Sequence, residues 1–213
     1  MGLKERRERE REERKRQILA AARALLFSEG LQATSINKIA KSAELGVGTI
    51  YFYFASKEEI FAALQEEGIE LLHDEIKKRI ERVKRPEERL KTIARVYLDF
   101  SRDNKDYFDI INYFLSSPGV LFSKNLKGQI DERGNRVISL LVSAVEAGIA
   151  SRDFREVDAR KFAMMFWAAL HGLILFKKLR TTMLRDEDYH ALVSDSVDYL
   201  VNSLNRDLHV AQR

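Results

Sequence analysis

The chain has 213 residues, 45% hydrophobic and 33% charged, with ten glycines, two prolines and no cysteine. That length suffices for one large domain or two modest ones with a real core. Scarce proline and glycine argue against disorder and a β-rich fold, and the absence of cysteine excludes disulfides, thiol catalysis and cysteine-ligated metals. The net charge of +4 is unevenly placed: residues 1–57 hold 12 Lys/Arg against 7 Asp/Glu, and the other 156 hold 25 against 26. A basic N-terminal quarter on a neutral body points to a polyanion at that end.

Behind Met1-Gly2-Leu3-Lys4-Glu5-Arg6-Arg7 there is no apolar segment of a signal peptide. The longest apolar run, from Phe162 and extended to Phe176, falls short of the roughly 20 residues that span a bilayer. A cytoplasmic protein without a membrane partner is expected. Residues 4–16 are a nearly unbroken run of Lys, Arg and Glu. The pairs Glu5–Arg9, Glu10–Arg14 and Glu12–Arg16 stand acid before base at helical spacing, which suits a solvated helix extension. The alternative is a basic arm touching the phosphates of a polyanion.

From Ile18 the pattern turns amphipathic: Ile18, Ala21, Ala22, Leu25 and Leu26 form one stripe. Gly30 ends this helix as a left-handed C-terminal cap. Thr34 or Ser35 caps a short second helix with Ile36, Ile39, Ala40 and Ala43 inward, stopping near Glu44-Leu45-Gly46. A third short helix, Val47 to Phe54, points Ile50 and Phe54 inward. Ser56 caps a long helix that runs to about Lys84, with Glu59 completing a capping box, and Pro86 starts another. Three short helices, a tight turn between the second and third, and then a long helix make a helix-turn-helix arrangement. Further helices are expected at 86–102, 104–116, 123–150, 157–179 and 186–206, punctuated by Pro118-Gly119 and Arg152-Asp153-Phe154. The fold expected is all-α, with a helix-turn-helix domain at 1–56 and a helical ligand-binding and dimerisation domain at 57–213.

The stretch from Lys15 to Ile60 resembles the TetR (tetracycline repressor-like) family of bacterial transcriptional regulators. The resemblance is densest in Ala43-Glu44-Leu45-Gly46-Val47-Gly48-Thr49-Ile50-Tyr51-Phe52-Tyr53-Phe54-Ala55-Ser56-Lys57-Glu58-Glu59. It implies that Thr34, Val47, Gly48, Thr49, Tyr51, Phe52, Tyr53 and Lys57 touch DNA. The residue chemistry agrees. Gly48 lets a recognition helix lie close to the groove, and Thr49 can meet a base edge, a phosphate or a thymine methyl. Tyr53 and Lys57 are phosphate-gripping types, Lys57 at a helix N-terminus, and Thr34 and Ser35 stand where another phosphate contact is possible. Phe54, and largely Tyr51, read as core aromatics; Phe52 and Tyr53 lie on the face away from Ile50 and Phe54. Three positions depart from the family pattern: Glu44 where glycine is usual, Gly46 where serine is frequent, and Val47 where a polar residue is frequent.

Phe162 to Phe176 is apolar on nearly every face, so it must be covered all round, by the domain core on one side and a second subunit on the other. Ala168, Gly172 and Leu175, with Val193, Val197 and Leu200 on the last helix, are the expected dimer interface. Ala147-Gly148-Ile149 and Arg152-Asp153-Phe154 are similar to the family's lead-in to these helices. A dimer sets two recognition helices about 34–36 Å apart on a palindromic operator in double-stranded DNA.

The middle helices are rich in aromatics, among them Phe114 and Phe122. The resemblance implies a small-molecule effector between the helices, expected to be largely apolar. Candidate contacts are Tyr97, Phe100, Phe108, Asn112, Tyr113, Phe166, Trp167 and His171, with Asn112 and His171 as orienting groups. The function implied is a repressor released from DNA by that effector, with no cofactor. An effector-independent architectural or cell-division factor of the same fold is the alternative. Against an enzyme, His73, His171, Glu146 and Asp99 have no partner at meaningful spacing, so no catalytic residue is assigned. His73, His171, His190 and His209 are scattered and form no metal signature.

Overall fold

The structure is a computed structural model describing residues 2–116, 124–176 and 186–206. Pro118-Gly119, Phe122 and the stretch 177–179 lie outside the described residues. Among the described residues the regular elements are α1 (Leu3–Glu29), α2 (Ile36–Ser42), α3 (Val47–Tyr53), α4 (Lys57–Ile80), α5 (Pro86–Asp103), α6 (Lys105–Ser116), α7 (Lys124–Ala150), α8 (Ala159–Phe176) and α9 (Asp186–Asn202). The helix from Lys57 ends at Ile80, one turn before the expected Lys84.

The chain divides into two compact units: residues 1–68 with 104–131, and residues 69–103 with 132–213. In the first, Ile18, Ala22 and Leu26 of α1 meet Ile39 and Ala40 of α2, Ile50 of α3, and Ile60, Phe61 and Leu64 of α4. Ile110 of α6 belongs to the same core, so α6 packs with the N-terminal helices. Gly30 ends α1 at φ 80° and ψ 172°, an extended positive-φ geometry open to glycine rather than the expected left-handed cap. Ser35 caps α2 by accepting from the Lys38 amide, and Ser56 caps α4 by accepting from the Glu59 amide. Glu59 reaches back to the Ala55 amide at 2.7 Å.

In the second unit, Leu90, Ile93, Tyr97 and Phe100 of α5, Leu141 and Val145 of α7 and Phe162, Phe166 and Leu170 of α8 are buried, and α5 packs against α8. The turn after α7 is built around one glycine. A Cβ on Gly148 would stand 2.0 Å from the Phe154 ring, and the Phe154 amide donates to the Gly148 carbonyl at 3.0 Å. Arg152 supplies the reversal at φ 66°. Beyond it, Arg155 binds the chain after α9, donating from its amide to the Leu204 carbonyl and from Nε to the Ser203 carbonyl, each at 2.8 Å.

Candidate nucleic-acid interface

The α2–α3 turn positions the site. Backbone bonds from Glu44 to the Lys41 carbonyl and from Leu45 to the Ala40 carbonyl close α2, and this requires φ 54° at Glu44. Glutamate is strained there, where a glycine would not be. Gly46 then starts α3 without a side-chain cap. On α1, Gln17 donates to the Ala43 carbonyl at 2.7 Å, fixing the turn against the first helix.

Helix α3 has a narrow inner face. Ile50 is fully buried and Phe54 follows at its end, whereas Val47, Gly48, Tyr51 and Phe52 are exposed. Phe52 is 77% exposed and stacks edge-on against Tyr53, with centroids 5.1 Å apart. Tyr51 is 53% exposed, which overturns its reading as a core aromatic: at 100° per residue, a seven-residue helix anchored through Ile50 turns position 51 outward. Tyr53 is half-buried and packs on the core edge. A Cβ on Gly48 would meet nothing within 4 Å in this chain, so any demand for glycine there comes from outside it. Thr49 is half-buried beside Gly48.

The flanking residues divide. Thr34 is 1% exposed and its hydroxyl donates to the Gly30 carbonyl at 2.9 Å. It seals the α1–α2 loop from inside, so its side chain does not meet a phosphate. Ser35 stays exposed while capping α2. Lys57 is half-buried, its Nζ 3.4 Å from the Thr34 carbonyl and 5.4 Å from the Phe61 ring centroid. That fastens it between the α1–α2 loop and the Phe61 ring and leaves donor capacity on the ammonium.

Exposed aromatics on a short helix, beside a half-buried lysine and a glycine with no internal reason to be one, suit a groove-reading surface better than solvent. The family profile for "Bacterial regulatory proteins, tetR family" matches residues 18–64, and that for "Tetracyclin repressor-like, C-terminal domain" matches residues 90–200. The chain belongs to the tetR family. This makes it a DNA-binding transcriptional regulator, with α2 and α3 as the family's helix-turn-helix. The HTH-type transcriptional regulator HbdR of Aromatoleum sp. is 37% identical over 79 residues, which are 37% of this chain and 34% of that one. The fatty acid metabolism regulator protein of Bacillus subtilis is 22% identical over 192 residues, 89% of this chain and 94% of that one. The fold matches the crystal structure of FadR from Bacillus subtilis in complex with stearoyl-CoA at a TM-score of 0.68, with 21% identity over 89% of this chain and 98% of that one.

The expected effector contacts fall into two groups. In the second unit, the Tyr97 hydroxyl and His171 Nδ1 are 2.8 Å apart, and Trp167 stacks on His171 with centroids 5.5 Å apart. Either the hydroxyl or the imidazole can be the donor in this pair. Burial pushes the Tyr97 hydroxyl well above the usual tyrosine range and the His171 imidazole below its usual value. Phe166 stacks on Phe162, and Phe100 is buried on α5. In the first unit, Phe108 is buried, Tyr113 meets Phe61 edge-on and Asn112 is half-buried. A groove of about 390 Å³ between α5 and α9 is lined by none of these residues. There Lys91 is already paired with Glu87 and Asp198, and Arg102 with Asp99 and Asp103.

Of the expected dimer residues, Ala168 and Leu175 are exposed on α8, beside exposed Met164, Met165 and Phe176. Gly172, Val193 and Leu200 are half-buried. Val197 is buried within the chain and is not part of the outer face. By length and composition α8 could also cross a membrane.

Proposed function

We propose that this chain is a cytoplasmic, homodimeric repressor that reads a palindromic operator through α3 and is released by an acyl thioester of coenzyme A. The exposed set on α3 carries the DNA half of this reading: Val47, Gly48, Tyr51 and Phe52 face outward on one short helix. The residues assigned to DNA are those four with Thr49, Tyr53, Ser35 and Lys57. The exposed apolar residues of α8 support pairing of two copies, because an isolated chain would leave Met164, Met165, Leu175 and Phe176 in water.

Relatives along nearly the whole chain support the effector class: one is a fatty acid metabolism regulator, and a structure of the same fold holds stearoyl-CoA. The aromatic interior of the second unit suits an acyl chain. The Tyr97–His171–Trp167 group supplies polar atoms that could orient its carbonyl end. Release follows from linkage: a ligand that favours the DNA-incompetent arrangement lowers operator affinity by its differential binding to the two arrangements. Helix α4 belongs to both units and is the candidate transmitting element. No turnover is required, and we assign no catalytic residue.

The test is release from an operator duplex, enriched from a random pool by the protein, on addition of acyl-CoA thioesters of graded chain length. Release by a thioester, with free coenzyme A and the free acid inactive, is expected. Intact DNA binding that no thioester alters would overturn the effector assignment and favour an effector-independent DNA-binding factor.

A further inference from the structure

Helix α1 is longer than its domain needs. It starts at Leu3, yet its first buried residue is Ile18, and residues 3–14 are all exposed. At 1.5 Å per residue those twelve overhang by about 18 Å. The overhang begins beside the DNA-reading turn, because Gln17 is bonded to the Ala43 carbonyl. The tetR-family match begins at residue 18, beyond the overhang, where the buried face starts.

Its charges are sorted by face. Lys4, Arg7, Arg11 and Arg14 continue, at alternating spacings of three and four, the line formed within the domain by Ile18, Ala21 and Leu25. Residues at such spacing share one side of a helix. The basic line therefore lies on the side of α1 that, further along, packs onto the domain. Glu5, Glu8, Glu10, Glu12 and Glu13 all fall off this line. Two of them are taken up elsewhere, Glu10 by Arg6 and Glu12 by Lys15. Arg14 is bonded to Gln17, whereas Lys4, Arg7 and Arg11 make no ion pair among the described residues. A helix held only by internal pairs would not need three uncommitted cations in one row.

We infer that the overhanging first turns of α1 form a second DNA contact, in which Lys4, Arg7 and Arg11 grip the phosphate backbone next to the segment read by α3. The occupant is double-stranded DNA, on grounds of charge complementarity and continuity with the helix-turn-helix. The inference rests on that DNA reading. Phosphate contacts carry no sequence information, so the arm adds affinity and a steeper salt dependence without changing which operator is chosen.

The experiment compares wild type with two triple variants of equal charge change: Lys4→Gln/Arg7→Gln/Arg11→Gln on the line, and Arg6→Gln/Arg9→Gln/Arg16→Gln off it. Binding to the duplex enriched by wild type is followed from about 50 to 200 mM KCl, where each lost phosphate contact lowers the slope of log K against log salt by about 0.9. The on-line variant should lose about 2–3 units of slope per protomer and keep its operator preference. The off-line variant should stay near wild type, with unchanged helicity confirming that both are folded. Equal slopes in the two variants would overturn the arm while leaving the helix-turn-helix reading intact. Failure of wild type to bind any duplex would overturn both. Binding to phosphatidylglycerol vesicles that only the on-line variant loses, with its DNA slope unchanged, would assign the line to lipid and overturn the inference.

Discussion

Arg23 on α1 donates to the Tyr107 hydroxyl on α6 at 2.9 Å, across 84 positions of sequence. The same hydroxyl donates to Glu67 of α4 at 3.1 Å, so one phenol joins three helices of the first unit. The fit is close: a Cβ on Gly68 would stand 2.8 Å from the Tyr107 Cβ. The hydrogen bond from Arg23 stabilises its guanidinium further, while burial raises the Tyr107 hydroxyl.

This junction gives the first prediction. Tyr107→Phe keeps the ring against Gly68 and removes both hydrogen bonds. Combined with Arg23→Ala in a double-mutant cycle of urea denaturation, it should show a coupling of about 0.5–1 kcal/mol, discounted for the exposure of Arg23. Additive effects would mean that the contact contributes nothing.

Glu44 holds φ 54° in the DNA-reading turn. Glu44→Gly relieves a left-handed strain of about 1–2 kcal/mol at an entropic cost of about 0.5–1 kcal/mol, so the variant should be more stable by roughly 0.5–1 kcal/mol. Calorimetry should show a midpoint raised by about 2 °C. A lower midpoint would show that the Glu44 side chain contributes more than its strain costs.

Gly48 separates folding from function. Nothing in the chain opposes a side chain there, so Gly48→Leu should melt no lower than wild type and gain helix propensity of up to about 1 kcal/mol. If α3 lies in a groove, the same variant should bind operator at least about tenfold more weakly, a loss of roughly 1.4 kcal/mol. Gel-shift titration alongside thermal melting reads both, and undiminished binding would place Gly48 outside the interface.

Burial lowers the His171 imidazole in the folded chain. The unfolded chain then takes up a proton at higher pH than the native one, so stability rises with pH in that range. The His171 contribution is complete above the unfolded value of about 6.5 and is lost as pH falls through it towards the folded value. His171→Gln should therefore flatten the fall in melting temperature between about pH 7.5 and 5.5. An identical slope in wild type and variant would show that folding leaves the His171 imidazole unshifted.

Local chemistry was legible where one helix turn decides it. The Ile18–Ala22–Leu26 stripe, the Ser35 and Ser56 caps and the inward Ile50 and Phe54 all follow from spacing of three or four and short-range hydrogen bonds. The strain at Glu44 could be suspected from glycine being usual in that turn. Thr34 was not legible: a threonine just before an N-cap can face either way, and only the position of the Gly30 carbonyl turns it inward. Tyr51 lies 100° around α3 from the buried Ile50, and aromatic character by itself does not tell which side of the helix edge such a residue takes. The packing of α6 on α1 and α4 through Tyr107, and the bonding of His171 to Tyr97, join residues more than 70 positions apart or depend on tertiary approach, and no local pattern encodes them.

The central claim, that α3 and its flank hold DNA, is tested most directly by Tyr53→Phe with Lys57→Gln. This pair retains the packing of both stems and removes a hydroxyl and a charge. Measured by fluorescence anisotropy against the enriched operator and an unrelated duplex over a range of salt, binding should weaken on both DNAs alike, with the salt slope reduced by about 1 per protomer. Affinity and slope equal to those of wild type would contradict the assignment.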